Sequence, residues 1–103
     1  MDKLFEMLKK IQKCPRVYLM DKSLTLLSEF INGYMFCQND YLGEQSQLFE
    51  GFEEYIHKKY NIFTTHSAIQ IINFFSVTED RAFDKFYELL EEFLKEQETK
   101  QLE

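Results

Sequence analysis

The stretch His66–Phe75, HSAIQIINFF, decides the fold class of this chain. Ala68, Ile69, Ile71, Ile72, Phe74 and Phe75 make it apolar nearly all round. A run of that kind is either a buried helix or a strand, because Ile and Phe favour strands and periodicity does not separate the two. Thr65 or Ser67 stands where a helix N-cap belongs, and the spacing predicts a helix over about His66 to Phe75. The alternative, a strand over Ile69–Phe75, stays open at this stage. The segments on either side weigh on the choice.

Working outward, the chain downstream carries a helical stripe. Ala82, Phe83, Phe86, Leu89, Leu90, Phe93 and Leu94 recur at helical spacing after Thr78, with Glu79 and Asp80 in the first turn against the positive helix end. The polar tail, residues 96–103, is expected to fray. Upstream, Leu48, Phe49, Phe52, Tyr55 and Ile56 predict an inward face over Gln47–Tyr60, capped by Ser46 and ended by Asn61. Glu50, Glu53 and Glu54 fall outside that face. Asn39 to Ser46, NDYLGEQS, reads as a loop.

Earlier still, a helix starting at Asp21 or Ser23 carries Leu24, Leu27, Ile31, Tyr34 and Met35 on one face and Leu26, Phe30 and Cys37 on another. Apolar on both sides, it is expected at the centre. Gly33 costs it about 1 kcal/mol relative to Ala, which close approach of a neighbouring helix would explain. Cys37 is expected buried. The first helix covers about Asp2 to Lys13 through Leu4, Phe5, Leu8 and Ile11. Pro15 stops it, leaving CPRVYLMDKS as a non-helical corner whose Tyr18 and Leu19 plug the core. The sum is an all-α chain, a compact single-domain bundle of about five or more helices over residues 1–103.

Composition narrows function. Of 103 residues, 11 are Phe and none is Trp, which suits a core of large apolar anchors. The net charge of −6 is unevenly spread. Residues 1–22 hold six basic and three acidic side chains, whereas residues 23–56 hold six acids and no Lys or Arg. An acidic body argues against direct nucleic-acid binding and suits a basic protein partner. The N-terminus lacks an apolar secretory core, and no stretch approaches the roughly 18 apolar residues of a membrane span. Both point to the cytoplasm, with Cys14 and Cys37 reduced.

No metal or nucleotide motif appears. The cysteines lack close pairing, His57 and His66 lack the zinc-protease spacing, and Gly33, Gly43 and Gly51 are scattered. No nucleophile elbow is present, so no catalytic, cofactor or metal residue is assigned and an enzyme is not expected. His57, Lys58 and Lys59 complement a helix C-terminus. The carboxylates are the candidates. Glu50, Glu53 and Glu54 cluster on one helix, and Asp84, Glu88 and Glu91 on another, with Tyr87 among them as an interface anchor. Such faces serve solubility or recognition with equal physical ease.

Cys14-Pro15-Arg16-Val17-Tyr18-Leu19, Lys22-Ser23-Leu24 and Leu27-Ser28-Glu29-Phe30-Ile31-Asn32-Gly33-Tyr34 form a pattern that resembles a set of small bacterial proteins. The likeness continues through Phe49-Glu50-Gly51-Phe52, Tyr60-Asn61-Ile62, His66-Ser67 and Phe86-Tyr87-Glu88-Leu89-Leu90. Those proteins are similar to immunity proteins of polymorphic toxin systems, including contact-dependent growth inhibition. The resemblance implies tight binding of a cognate toxin domain, many being basic nucleases, and occlusion of its active site. Binding residues do not carry over, since such surfaces differ between pairs. The expected assembly is a monomer in a 1:1 complex. A small structural or regulatory helical protein, dimeric through the fourth helix, is the alternative.

Overall fold

HSAIQIINFF is a helix. Ser67 opens it with a capping box: the Gln70 amide donates to the Ser67 Oγ at 3.2 Å, and the Ser67 amide donates to the Gln70 Oε1 at 2.9 Å. The element Ala68–Phe74 is thereby fixed as helical at its first turn, and Ala68, Ile69, Ile71 and Ile72 are buried. The β-branched residues are accommodated because tertiary burial outweighs their local preference.

The computed structural model describes residues 3–43, 46–63 and 66–102. Among them the elements are α1 (Lys3–Lys13), α2 (Pro15–Tyr18), α3 (Leu24–Tyr41), α4 (Gln47–Tyr60), α5 (Ala68–Phe74) and α6 (Glu79–Leu102). The chain is all-α. A helix start at Asp2, the middle of the 39–46 loop at Glu44 and a cap at Thr65 lie outside the described residues.

Phe86, Leu89, Leu90 and Phe93 of α6 sit in one apolar cluster with Leu4, Leu8 and Ile11 of α1, Leu24, Leu27 and Ile31 of α3, Phe52 and Ile56 of α4, and Ile72 of α5. Phe52 meets both Phe86 and Phe93 edge-on, with ring centroids 5.5 and 5.8 Å apart. The radius of gyration is 13.6 Å.

Several local expectations change. Pro15 does end α1, but it also opens α2, since its fixed φ suits the first helical position. The corner is thus a single helical turn. Leu19 is buried as expected, whereas Tyr18 is exposed. Ser23, not Asp21, caps α3, accepting from the Leu26 amide. That helix absorbs Asn39, Asp40 and Tyr41, and the chain turns only near Gly43, whose φ is +66°. Cys37 is exposed, because it projects away from the Leu24–Leu27–Ile31 face. Gly33 faces open space, and the close approach occurs instead at Gly51, where an added Cβ would stand 3.2 Å from Phe93 Cζ. Asn61 ends α4 in the left-handed conformation at φ 55°, and the Ile62 amide donates to the His57 carbonyl at 3.0 Å. α6 continues through the polar tail to Leu102, braced by Lys95–Glu91 and Lys100–Glu96 pairs one turn apart.

Two helix starts are capped from a distance. Glu79, at the start of α6, accepts from the Thr25 amide at 2.8 Å and from the Ser23 and Thr25 hydroxyls at 2.7 and 2.9 Å. Glu53 of α4 accepts from the Ala68 amide at the start of α5, at 2.7 Å. These bonds fix α3 on α6 and α5 on α4, and so orient the outer faces of all four helices.

Candidate interaction surfaces

Of the seven residues read from sequence as partner-binding, Glu53 and Tyr87 are taken up by contacts within the fold, and Glu50, Glu54, Asp84, Glu88 and Glu91 are exposed. On α4, Glu53 turns inward to cap α5 and is half-buried. Burial raises its pKa, outweighing the Ala68 bond and the nearby His57. Glu50 and Glu54 lie on the outer side, exposed and without an ion-pair partner among the described residues. On α6, Tyr87 is buried, and its hydroxyl donates to the Leu8 carbonyl at 2.6 Å. Burial pushes the phenol well above its ordinary range. It fastens α1 to α6 and is not available to a partner.

Asp84, Glu88 and Glu91 are exposed but matched with cations. Lys22 reaches Asp84 at 2.9 Å and Asp80 at 3.3 Å, and its pKa rises through the Asp84 bond above all. Lys85 pairs with Glu88 and Lys95 with Glu91, each at 3.4 Å. Pairs this exposed contribute about 0–1 kcal/mol to stability, but they do alternate the sign of the field along α6. Glu92 is drawn into the α4–α6 contact, accepting from Lys59 at 3.0 Å and from the Tyr55 hydroxyl at 3.1 Å. α4 and α6 meet through Gly51, Phe52 and Tyr55 against Phe86 and Phe93.

Three further surfaces stand out, of which only that on the fourth helix was named from sequence, as a dimer surface. The first is the outer face of α3. Glu29, Asn32, Gly33, Phe36 and Asp40 are all exposed at helical spacing. Phe36 packs edge-on against Tyr41 at 6.3 Å, and both rings are largely in solvent. Neither Glu29 nor Asp40 has an ion-pair partner among the described residues. The signal was present in the sequence: residues 23–56 have no Lys or Arg, and Gly33 interrupts a helix whose other side completes the core.

The second is aromatic. Phe74 is 80% exposed, Val77 84% and Phe63 71%. Phe74 meets Phe75 edge-on at 5.0 Å, and Phe75 stacks on Tyr60 at 5.1 Å. Beside Phe74 lies a groove of about 260 Å³ walled by Ile62, His66, Gln70 and Ile71. Gln70 and Phe74 also border a second hollow, with Asn73, Ser76, Val77, Thr78 and Glu79. A helix that is apolar nearly all round cannot bury every side, and Phe74 is the residue left over.

The third is a groove of about 510 Å³ between α1 and the C-terminal half of α6. Phe5, Leu48, Leu90 and Leu94 line it, with Lys9 and Glu91 among its polar lining residues. Among the described residues, no group of three or more His, Cys, Asp or Glu side chains is placed to hold a metal ion. No helix among them is long and apolar enough to cross a membrane. Comparison with family models, with curated proteins and with solved structures finds no match to this chain.

Proposed function

We propose that this chain is an immunity protein, acting in the cytoplasm, that neutralises a cognate toxin domain by covering the active site of a basic nuclease. The observation that supports it best is the row of unpaired acids on the outer faces of α3 and α4. Glu29 and Asp40 flank the exposed Phe36–Tyr41 pair on α3, and Glu50 and Glu54 on α4 have no ion-pair partner among the described residues. Bare carboxylates speed encounter with a cationic cleft and meet the contacts that nucleic-acid phosphates would make there. Exposed aromatic rings with few rotamers supply the short-range part of the affinity. The resemblance to immunity proteins agrees with this chemistry. Lysines already answer the acids of α6, which favours α3 and α4 as the working surface.

Co-expression with the toxin encoded immediately upstream tests the proposal. Rescue of growth and a stable complex are the expected result; neither rescue nor complex would overturn it. In that complex E50K/E54K is expected to slow association about tenfold at low ionic strength and little at high. E88K/E91K should change it less. An association rate untouched by E50K/E54K at low salt would remove α4 from the interface.

A further inference from the structure

We propose that the chain forms a two-fold symmetric dimer through the aromatic patch at the end of α5, with Phe74 of each copy seated in the groove beside Phe74 of the other. Three observations carry this. Residues 60–78 contain no Asp, Glu, Lys or Arg, in a chain that is 29% charged as a whole. For a molecule of net charge −6, contact with a second copy is repelled at its acidic faces and unopposed at an uncharged one. The patch carries the least of that penalty, since Glu79, which borders its hollow, has its carboxylate engaged by Ser23 and Thr25 of α3.

The second observation is shape. Phe74 is a ridge on the outer side of α5, and the groove walled by Ile62, His66, Gln70 and Ile71 lies directly against it. Knob and hole thus occupy one face. An isologous interface needs this arrangement, since each copy must offer both halves of the contact. The hole is lined mainly by carbon, so it receives a ring and leaves no buried charge.

The third is extent. Phe63, Phe74, Phe75 and Val77 are each more than half exposed. At about 150–250 Å² for a buried aromatic side chain, the three rings present roughly 300–500 Å² of apolar surface, to which Val77 adds. With the walls of the groove this approaches the ~800 Å² per partner of a standard stable interface. The expected 1:1 complex with a toxin accordingly becomes a 2:2 assembly, because the patch and the acidic faces are separate surfaces. The dimer does not rest on the immunity reading.

Sedimentation equilibrium of the full chain decides the matter. The wild type is expected to pass from monomer to dimer as concentration rises through the range from about 10 μM to 1 mM. F74E and, independently, V77D replace exposed side chains, so circular dichroism should show their helical content unchanged. Both should raise the dimer dissociation constant at least about thirtyfold. F36E, on α3, should leave it unchanged and should instead weaken toxin binding. A wild type that stays monomeric throughout, a dimer indifferent to F74E and V77D, or equal disruption by F36E would each overturn the proposal. Co-flotation of a monomeric chain with phosphatidylcholine vesicles would assign the patch to a lipid surface and overturn it likewise.

Discussion

Gly33 and Gly51 are both helical glycines, and the residues around them give them opposite meanings. Above Gly33 there is open space, so the backbone freedom it retains when unfolded is lost on folding for no packing return. G33A is therefore expected to raise stability by about 0.5–1 kcal/mol, read as a higher urea midpoint with an unchanged slope. Gly51 lies under Phe93, which is itself held between Phe52 and Tyr55 at 5.8 and 5.6 Å. The ring has little room to yield. G51A gains helix propensity but overpacks this contact, and a net loss of about 1–2 kcal/mol is expected in the same titration. Equal shifts for the two variants would show that helix propensity alone governs both sites. Glu53 and Tyr87 make a related point. Each stands beside exposed acids in its own helix, so local spacing presents it as surface. Contact with a second helix, α5 for Glu53 and α1 for Tyr87, turns it inward. That crossing is a long-range fact, and no pattern within one helix states it.

At the scale of elements, apolar periodicity with side-chain caps was enough to place α1, α3, α4 and α6, while α5 stayed open between helix and strand because its run is apolar nearly all round. Ser23, Ser46 and Ser67 each accept from the amide three residues on, as their positions suggest. What the sequence concealed is where polar residues sit within helices. Asn39 and Asp40 read as loop but close α3, and the polar tail extends α6, because neither contains a residue that must break a helix. Pro15 was legible as a stop and equally so as a start. The remote cap on α3 also could not be read, since Ser23 and Glu79 are far apart in sequence. Its energetics have a definite sign. Although desolvation acts to raise it, the Glu79 pKa is lowered overall by bonds from the Thr25 amide and the Ser23 and Thr25 hydroxyls. A carboxyl held below its unfolded value stabilises the fold above that value and loses this contribution as pH falls through the folded one. E79A is expected to cost about 1 kcal/mol at neutral pH, the exposed position keeping it near the lower end for a cap. The difference from wild type should shrink at pH 3. A gap that stays constant with pH would mean that the carboxylate charge plays no part.

At the scale of the whole molecule, two kinds of surface are set apart by charge. The outer faces of α3 and α4 carry acids with no ion-pair partner among the described residues, while residues 60–78 hold no acid. α1 brings the basic residues Lys3, Lys9, Lys10 and Lys13 to another side of the core. This asymmetry was legible as segment charges before any coordinates. Which acids remain bare was not, because Lys22 answers Asp80 and Asp84 across some sixty residues of chain.

The capping of α3 by Glu79 and of α5 by Glu53 bears on how the chain comes apart. Each of these helices has one amide of its first turn tied to a carboxylate on another helix, which holds that end against fraying on its own. Opening α3 at its N-terminus means parting it from α6, and opening α5 means parting it from α4. Amide hydrogen exchange at Thr25 and Ala68, near helix ends and ordinarily quick, is expected to be slow and to follow global unfolding. Fast exchange at both, with a protected core, would show ends that open locally. A chain wired in this way gives proteases few partly open forms, and its lifetime in a cell is set by the rare opening of the molecule as a unit.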